Sequence, residues 1–357
     1  MGLLFVLHCR LLSLAEGIEN LAFALLDGDG REAYGKSRGR VLRQSIKPQG
    51  GCNMKRQGKT LLAMVMAGIF CLAGCGGAGP ALPQSEDAKE GKQEADTAIL
   101  VVSFGTSFND SRDITIGAVE KAIADEFPGY EVRRAFTAQK IIDKLRKRDG
   151  VEIDNVTQAL DRAVADGVKR LVIQPTHLMN GLEYQDIMDE WEKYQGDFEQ
   201  IVTGEPLLSS DEDFLAVSEA IVGATAADDD GETAIVFMGH GTEADSNQVY
   251  GKMQDTLEDG GHGNYYVGTV EAEPRLEDII GALKKAGKYK RVVLCPLMLV
   301  AGDHANNDMA GEEEDSWKSV LEAEGYEVDC RIHGLGELED IREIYVAHVK
   351  DAVDRLK

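Results

Sequence analysis

Two stretches of this chain are near copies of one another: "AILVVSFGTSFNDS", beginning at Ala98, and "AIVFMGHGTEADSN", beginning at Ala234. Each runs a strand's length of apolar residues into a Gly-Thr turn and then into small polar residues. That is the pattern of a buried strand ending at a tight loop. Repetition at this separation constrains the fold to two versions of one unit. The copies match again further on. "KRLVIQPTHLMNG" and "KRVVLCPLMLVAGDHANND" each place an arginine (Arg170, Arg291) five residues before a proline (Pro175, Pro296), with a glycine (Gly181, Gly302) six residues after it.

Amphipathic segments lie between these runs. Ile116, Val119, Ile123 and Phe127 fall at helical spacing before the stop "FPG". "VTQALDRAVADG" and "RLEDIIGALKKAG" read as helices that end at glycine. "YEVRRAFT" and "NYYVGTVE" read as further strands. Short buried strands alternating with helices of this length imply parallel sheets covered on both faces. The predicted fold class is α/β, with two pseudo-symmetric Rossmann/flavodoxin-like domains, 97–230 and 231–357. The acidic stretch "ATAADDDGET" joins them, and the last helix, "IREIYVAHVKDAVDRL", is expected to pack back across the pair. Ligands of such sheets bind beyond the carboxyl ends of the strands, which predicts an active-site cleft between the domains.

The chain before residue 97 reads differently. From Met54, "MKRQGKTLLAMVMAGIFCLAGCGG" has a positive start (Lys55, Arg56, Lys59), then an apolar run from Leu61 to Ala73 that is short for a bilayer span. It ends in "LAGC", which resembles a bacterial lipoprotein signal, so 54–75 is expected to be a signal peptide and Cys75 to be lipidated. Residues 76–96 read as a flexible linker. Residues 1–53 show no helical or strand period and are expected to be an upstream extension preceding the true start at Met54. The localisation these readings imply is periplasmic, with a lipid anchor as the chain's contact with membrane.

The formal net charge of −25 argues against nucleic acid as a partner, because phosphate binding needs a basic face. "SFGTS" lacks the spaced glycines of a dinucleotide fingerprint. Cys295 and Cys330 sit in apolar strand-like runs with no C-x-x-C spacing, and are expected to be buried thiols.

The two halves differ in what stands at their strand ends. The second offers His240 after its first strand, Glu271 after its second, and His304 in the strand–loop that begins "KRVVLC". The first offers Phe104, nothing ionisable after "YEVRRAFTA", and His177 with Glu183. Two imidazoles and a carboxylate can hold one divalent ion and leave a coordination position open. His262, His333 and His348 read as turn, surface or packing residues, and "GEEEDSW" as a solvated helix start.

"SFGTSFNDSR", "QPTHLMNGLEY", "FMGHGTE", "GTVEAEP" and "AGDHANNDMAGEEEDSW" together resemble the anaerobic-type sirohydrochlorin cobaltochelatases, the CbiK family of class II chelatases. The resemblance runs from about Ala98 to the C-terminus, and the signal segment is similar to that of exported, periplasmic members. It implies the chelatase fold, insertion of Co2+ into the tetrapyrrole sirohydrochlorin for cobalamin biosynthesis, and homo-oligomers. Residue by residue, it implies that His240, Glu271 and His304 bind the metal and that His240 and His304 are catalytic. Glu273 is a second candidate acid, lying on the same side of an extended strand. Phe104, Gly105, Thr106, His177 and Gly181 would line the substrate cleft, with Arg112 and Arg275 as candidate partners for substrate carboxylates. Fe2+ or Ni2+ stays open as the metal, and haem, with His177 as an axial ligand, as a further cofactor. A non-catalytic metal or haem carrier on the same fold is the rival reading.

Overall fold

The computed structural model describes residues 96–356. The expectations for the upstream extension, the signal segment, Cys75 and most of the linker lie outside them. Eight parallel strands form two four-stranded sheets. The first contains β1 (Thr97–Ser103), β2 (Glu131–Phe136), β3 (Arg170–Pro175) and β4 (Gln200–Thr203) in the order β2-β1-β3-β4. The second contains β5 (Thr233–Gly239), β6 (Tyr265–Thr269), β7 (Arg291–Pro296) and β8 (Glu327–Cys330) in the order β6-β5-β7-β8. The repeat extends to register. Thr97 pairs with Arg170 and Val102 with Pro175, as Thr233 pairs with Arg291 and Met238 with Pro296. The α/β fold with parallel sheets is as the sequence predicts, and β4 is an addition. Only Ile201 of that short strand is buried, so it carries no continuous buried apolar run to read.

Ten helices of the described residues connect and cover the sheets. In the first half these are α1 (Asn109–Ile114), α2 (Ile116–Glu126), α3 (Gln139–Asp149), α4 (Val156–Ala165), α5 (Leu182–Lys193) and α6 (Asp211–Thr225). In the second they are α7 (Gln248–Asp259), α8 (Leu276–Ala286), α9 (Trp317–Ala323) and α10 (Glu339–Val353). Capping boxes start two of them: Asn155 with Gln158 at α4, and Ser210 with Asp213 at α6.

Strand alternation sorts side chains into layers. On β1, Ile99 and Val101 face an inner core, while Ala98, Leu100 and Val102 face an outer one. On β5, Ile235 and Phe237 face that same inner core, and Ala234, Val236 and Met238 a second outer one. One inner core therefore serves both sheets. Two helices cross over to build it. α10, from the end of the chain, packs on α2, β3 and β4 of the first half, and α6 packs on both α7 and α10. Tyr345 on α10 is fully buried and donates to the Thr176 carbonyl at 2.8 Å. Nε2 of His348 lies 3.1 Å from Oδ1 of Asp213 on α6.

The acidic join is stapled to the second sheet. Asp228 accepts from Arg291 of β7 at 3.2 Å and from Arg331 at 2.6 Å. The Arg331 guanidinium, more than any other group, holds its carboxyl below the usual range. Cys295 faces the inner core and Cys330 packs against the outer core of the second half, and both are free thiols. Burial pushes the Cys295 thiol up to about 12. No described helix is long and apolar enough to cross a membrane.

Candidate metal centre

The strand-end loops of the two halves share their backbone hydrogen bonds, so positions can be matched directly. After β2, the amides of Thr137 and Ala138 donate to the carbonyls of Ser103 (2.9 Å) and Phe104 (3.2 Å). After β6, those of Val270 and Glu271 donate to Gly239 (3.0 Å) and His240 (2.9 Å). His240 thus stands where the first half has Phe104, and Glu271 where it has Ala138. The amides of Thr176 and Leu297 donate to Val102 and Met238, both at 2.8 Å. Counting onward from them aligns Gly181 with Gly302, Glu183 with His304, and His177 with Met298.

Each first-strand loop turns at a glycine with positive φ, +100° at Gly105 and +87° at Gly241, where an L side chain is strained. A Cβ at Gly241 would also sit 2.7 Å from the Ala272 amide nitrogen. Behind the turn, the buried Tyr250 hydroxyl accepts the Gly241 N–H at 3.2 Å. Burial pushes that phenol up to about 12, so it stays a neutral prop.

His240, Glu271 and His304 converge. One ligand atom from each lies within 4.8 Å of the others, the one such trio of His, Cys, Asp or Glu side chains among the described residues. The imidazole rings meet edge to face with centroids 4.6 Å apart, and His240 Nδ1 is 3.8 Å from Glu271 Oε2. A closed tetrahedral site would bring such donors to roughly 3.4 Å of one another. The trio is therefore preformed but wider than a tight cage, and all three side chains are partly open to solvent. His240 Nδ1 lies 2.8 Å from the Gly241 carbonyl. That oxygen can only accept, so the ring donates Nδ1–H and leaves Nε2 for a metal.

His304 leads into a one-turn π segment, Ala305–Met309, a geometry found frequently at functional sites. Ala305 and Met309 are fully buried and anchor the turn. Asn306 Nδ2 donates to the Gly302 carbonyl at 2.7 Å, and His304 Nδ1 lies 2.7 Å from Asp308 Oδ2. "GDHANND" is thus one candidate ligand with its mounting.

The structure corrects the reading of Glu273. The chain bends after Thr269 rather than continuing as a strand, and Glu273 is not part of the trio. Its carbonyl accepts from Asn247 Nδ2 at 2.6 Å. Thr106 and Gly181 lie at the seam of the halves, and Gly105 turns the first-half loop beside Phe136. Phe104 is 47% exposed. Thr106 Oγ1 is 3.5 Å from where a Cβ on Gly302 would stand, and Ser246 Oγ and Glu183 Oε2 are each 3.8 Å from one on Gly181. Beside α1, a cavity of about 270 Å³ is walled by Phe108, Ser111 and Ile114 from the first half and Ala301, Asn306 and Ile332 from the second.

His177 is not one of the converging ligands. Both its ring nitrogens are buried without a partner among the described residues, and burial lowers its pKa from 6.5 to about 4. Arg112 is buried and donates to Asn109 Oδ1 at 2.9 Å, while Arg275 is exposed ahead of α8. Sequence reading passed over Asp308, Tyr250 and the equivalence of Glu183 with His304. The glycine-plus-two spacing shared by Gly181 and Gly302 could have supplied the last.

Residues 97–354 match the family model described as cobalt chelatase (CbiK). The chain is 39% identical over 257 residues to a sirohydrochlorin cobaltochelatase of Salmonella typhimurium, covering 72% of this chain and 96% of that protein. It is 31% identical over 263 residues to the sirohydrochlorin cobaltochelatase CbiKC of Nitratidesulfovibrio vulgaris, covering 72% and 91%. Among solved structures, SirB from Bacillus subtilis with Fe3+ is similar in fold, with a TM-score of 0.51 at 14% identity over 73% of this chain and 97% of that one.

Proposed function

This chain belongs to the CbiK cobalt chelatase family, and from that premise we propose that it inserts Co2+ into sirohydrochlorin with release of two protons. The observation that carries the reading is the convergence of His240, Glu271 and His304 from three strand ends of one half. These three hold the incoming ion. Three protein donors leave coordination positions for the macrocycle nitrogens, and a set wider than a tight cage suits an ion that must be handed on. The ion is presented from the second half, and Phe104 with Thr106 forms the facing wall. Transfer requires the ion to exchange its protein ligands for pyrrole nitrogens while two N–H protons leave. The metal's charge lowers the cost of losing them, and a neutral imidazole released from the ion is a competent acceptor.

The test is the full chain with sirohydrochlorin and Co2+ under anaerobic conditions, followed by visible absorption. Multiple turnovers, abolished in His240→Ala and in His304→Ala, are expected. Stoichiometric binding without turnover would favour the carrier reading instead. His and Glu donors do not discriminate sharply among Co2+, Fe2+ and Ni2+, so Co2+ is assigned on family grounds, and competition among the three metals tests it. A haem held by His177 is disfavoured by the burial of both its ring nitrogens. We further propose export and lipid anchoring at Cys75. Metabolic labelling with a radiolabelled fatty acid should mark the chain and fail to mark Cys75→Ala. A homo-oligomer is the expected assembly, to be read by light scattering.

A further inference from the structure

We infer that Asp308 is a positioning residue of the metal centre: its carboxylate accepts the Nδ1–H of His304 and so fixes the tautomer that presents Nε2 to the ion. The inference rests on the reading of His304 as a metal ligand. A carboxylate oxygen 2.7 Å from Nδ1 is a short, charge-assisted contact. Both side chains belong to one turn whose apolar members, Ala305 and Met309, are fully buried, so the pair is mounted on a rigid base. The ring itself is partly exposed. An unrestrained histidine ring in water favours the opposite tautomer, with the proton on Nε2, which would turn a donor rather than a lone pair toward the ion.

The other half shows that the scaffold does not require an acid here. Six residues after Gly302 stands Asp308, and six residues after Gly181 stands Ile187, which is fully buried. The half without the histidine has no acid at this position. His240 reaches the same end by another route, with Nδ1 facing a backbone carbonyl at 2.8 Å. Both rings therefore offer Nε2, one held by a peptide dipole and the other by a full charge. Of these two supports, only that of His304 can be removed by a side-chain substitution.

The test uses the ¹⁵N-labelled full chain without metal, and two-bond proton–nitrogen spectra of its imidazoles at neutral pH. His304 should be Nδ1-protonated in the wild type, mixed or Nε2-protonated in Asp308→Ala, and again Nδ1-protonated in Asp308→Asn, whose amide oxygen still accepts. Titration with Co2+ alone should show Kd raised about ten- to hundredfold in Asp308→Ala, with Asp308→Asn recovering most of the loss. A wild-type His304 protonated at Nε2 would overturn the inference without any variant having to fold. So would an Asp308→Ala protein with unchanged tautomer and Kd. His304→Ala with an unchanged Co2+ Kd would strike instead at the ligand reading beneath, whereas the metal-free spectra test the Asp308 contact on their own.

Discussion

Where the second half carries His240, Glu271 and His304, the first half carries Phe104, Ala138 and Glu183 on the same hydrogen-bonded loops. Strand order, register and the positive-φ glycine of the first loop are common to both. A handful of strand-end side chains therefore separates the face with a candidate ligand set from the one without it. A metal that must enter a planar macrocycle approaches from one side, and a second ligand set opposite would compete for it. The asymmetry of the site is laid on a symmetric frame at little structural cost, because these positions are at least partly open to solvent.

The comparison can be broken most severely from the second half. His240→Ala or His304→Ala should lower turnover at least about a hundredfold, whereas Phe104→Ala should change KM more than kcat. Steady-state assays of the three variants check this, and equal losses would erase the distinction between the faces. A second prediction runs the other way. Phe104→His with Ala138→Glu would give the first half two donors beside its own Glu183, and equilibrium dialysis should then count a second equivalent of Co2+.

The third prediction concerns His177, which stands where the second half has Met298. Its folded pKa, about 4, lies below the unfolded value of 6.5. The unfolded chain binds the proton more readily in that interval. The wild type should hold its full stability above pH 6.5 and lose it as pH falls toward 4, by on the order of 3 kcal/mol. His177→Met should flatten that part of the profile in denaturant melts. The smallest effect belongs to the join, which has no counterpart in the other half. Asp228→Ala should cost about 1–2 kcal/mol of stability while leaving Co2+ binding unchanged by titration.

The repeat was legible because buried parallel strands are written as continuous apolar runs, and "AILVVS" and "AIVFMG" are two of them. β4 was not, since "QIVT" is short and only Ile201 within it is buried. His240 and His304 stood out as imidazoles at strand ends. The motif position favours Glu271 over Glu273, but reading alone could not dismiss Glu273, because alternation holds only while the strand continues, and here it stops at Thr269. The matching of Ala138 with Glu271 was hidden for a similar reason: "TAQK" and "VEAEP" share no side chains, only the amides that tie them to the neighbouring loop. Asp308 was visible as a letter, but its pairing with His304 depends on the turn between them.

The crossing of α10 onto the first half has a consequence for how the molecule is made. A ribosome delivers the chain from its N-terminus. The sheet that contains Ile99, Val101 and Val172 emerges early, yet the helix bearing Ile341, Tyr345 and Val349 that closes over it comes last. Until that helix is present, part of the first half's inner apolar face lacks its cover. The first half's inner core therefore depends on a segment that follows the second sheet in the chain, so a truncation that removes this helix strips the cover from the half that does not contain it.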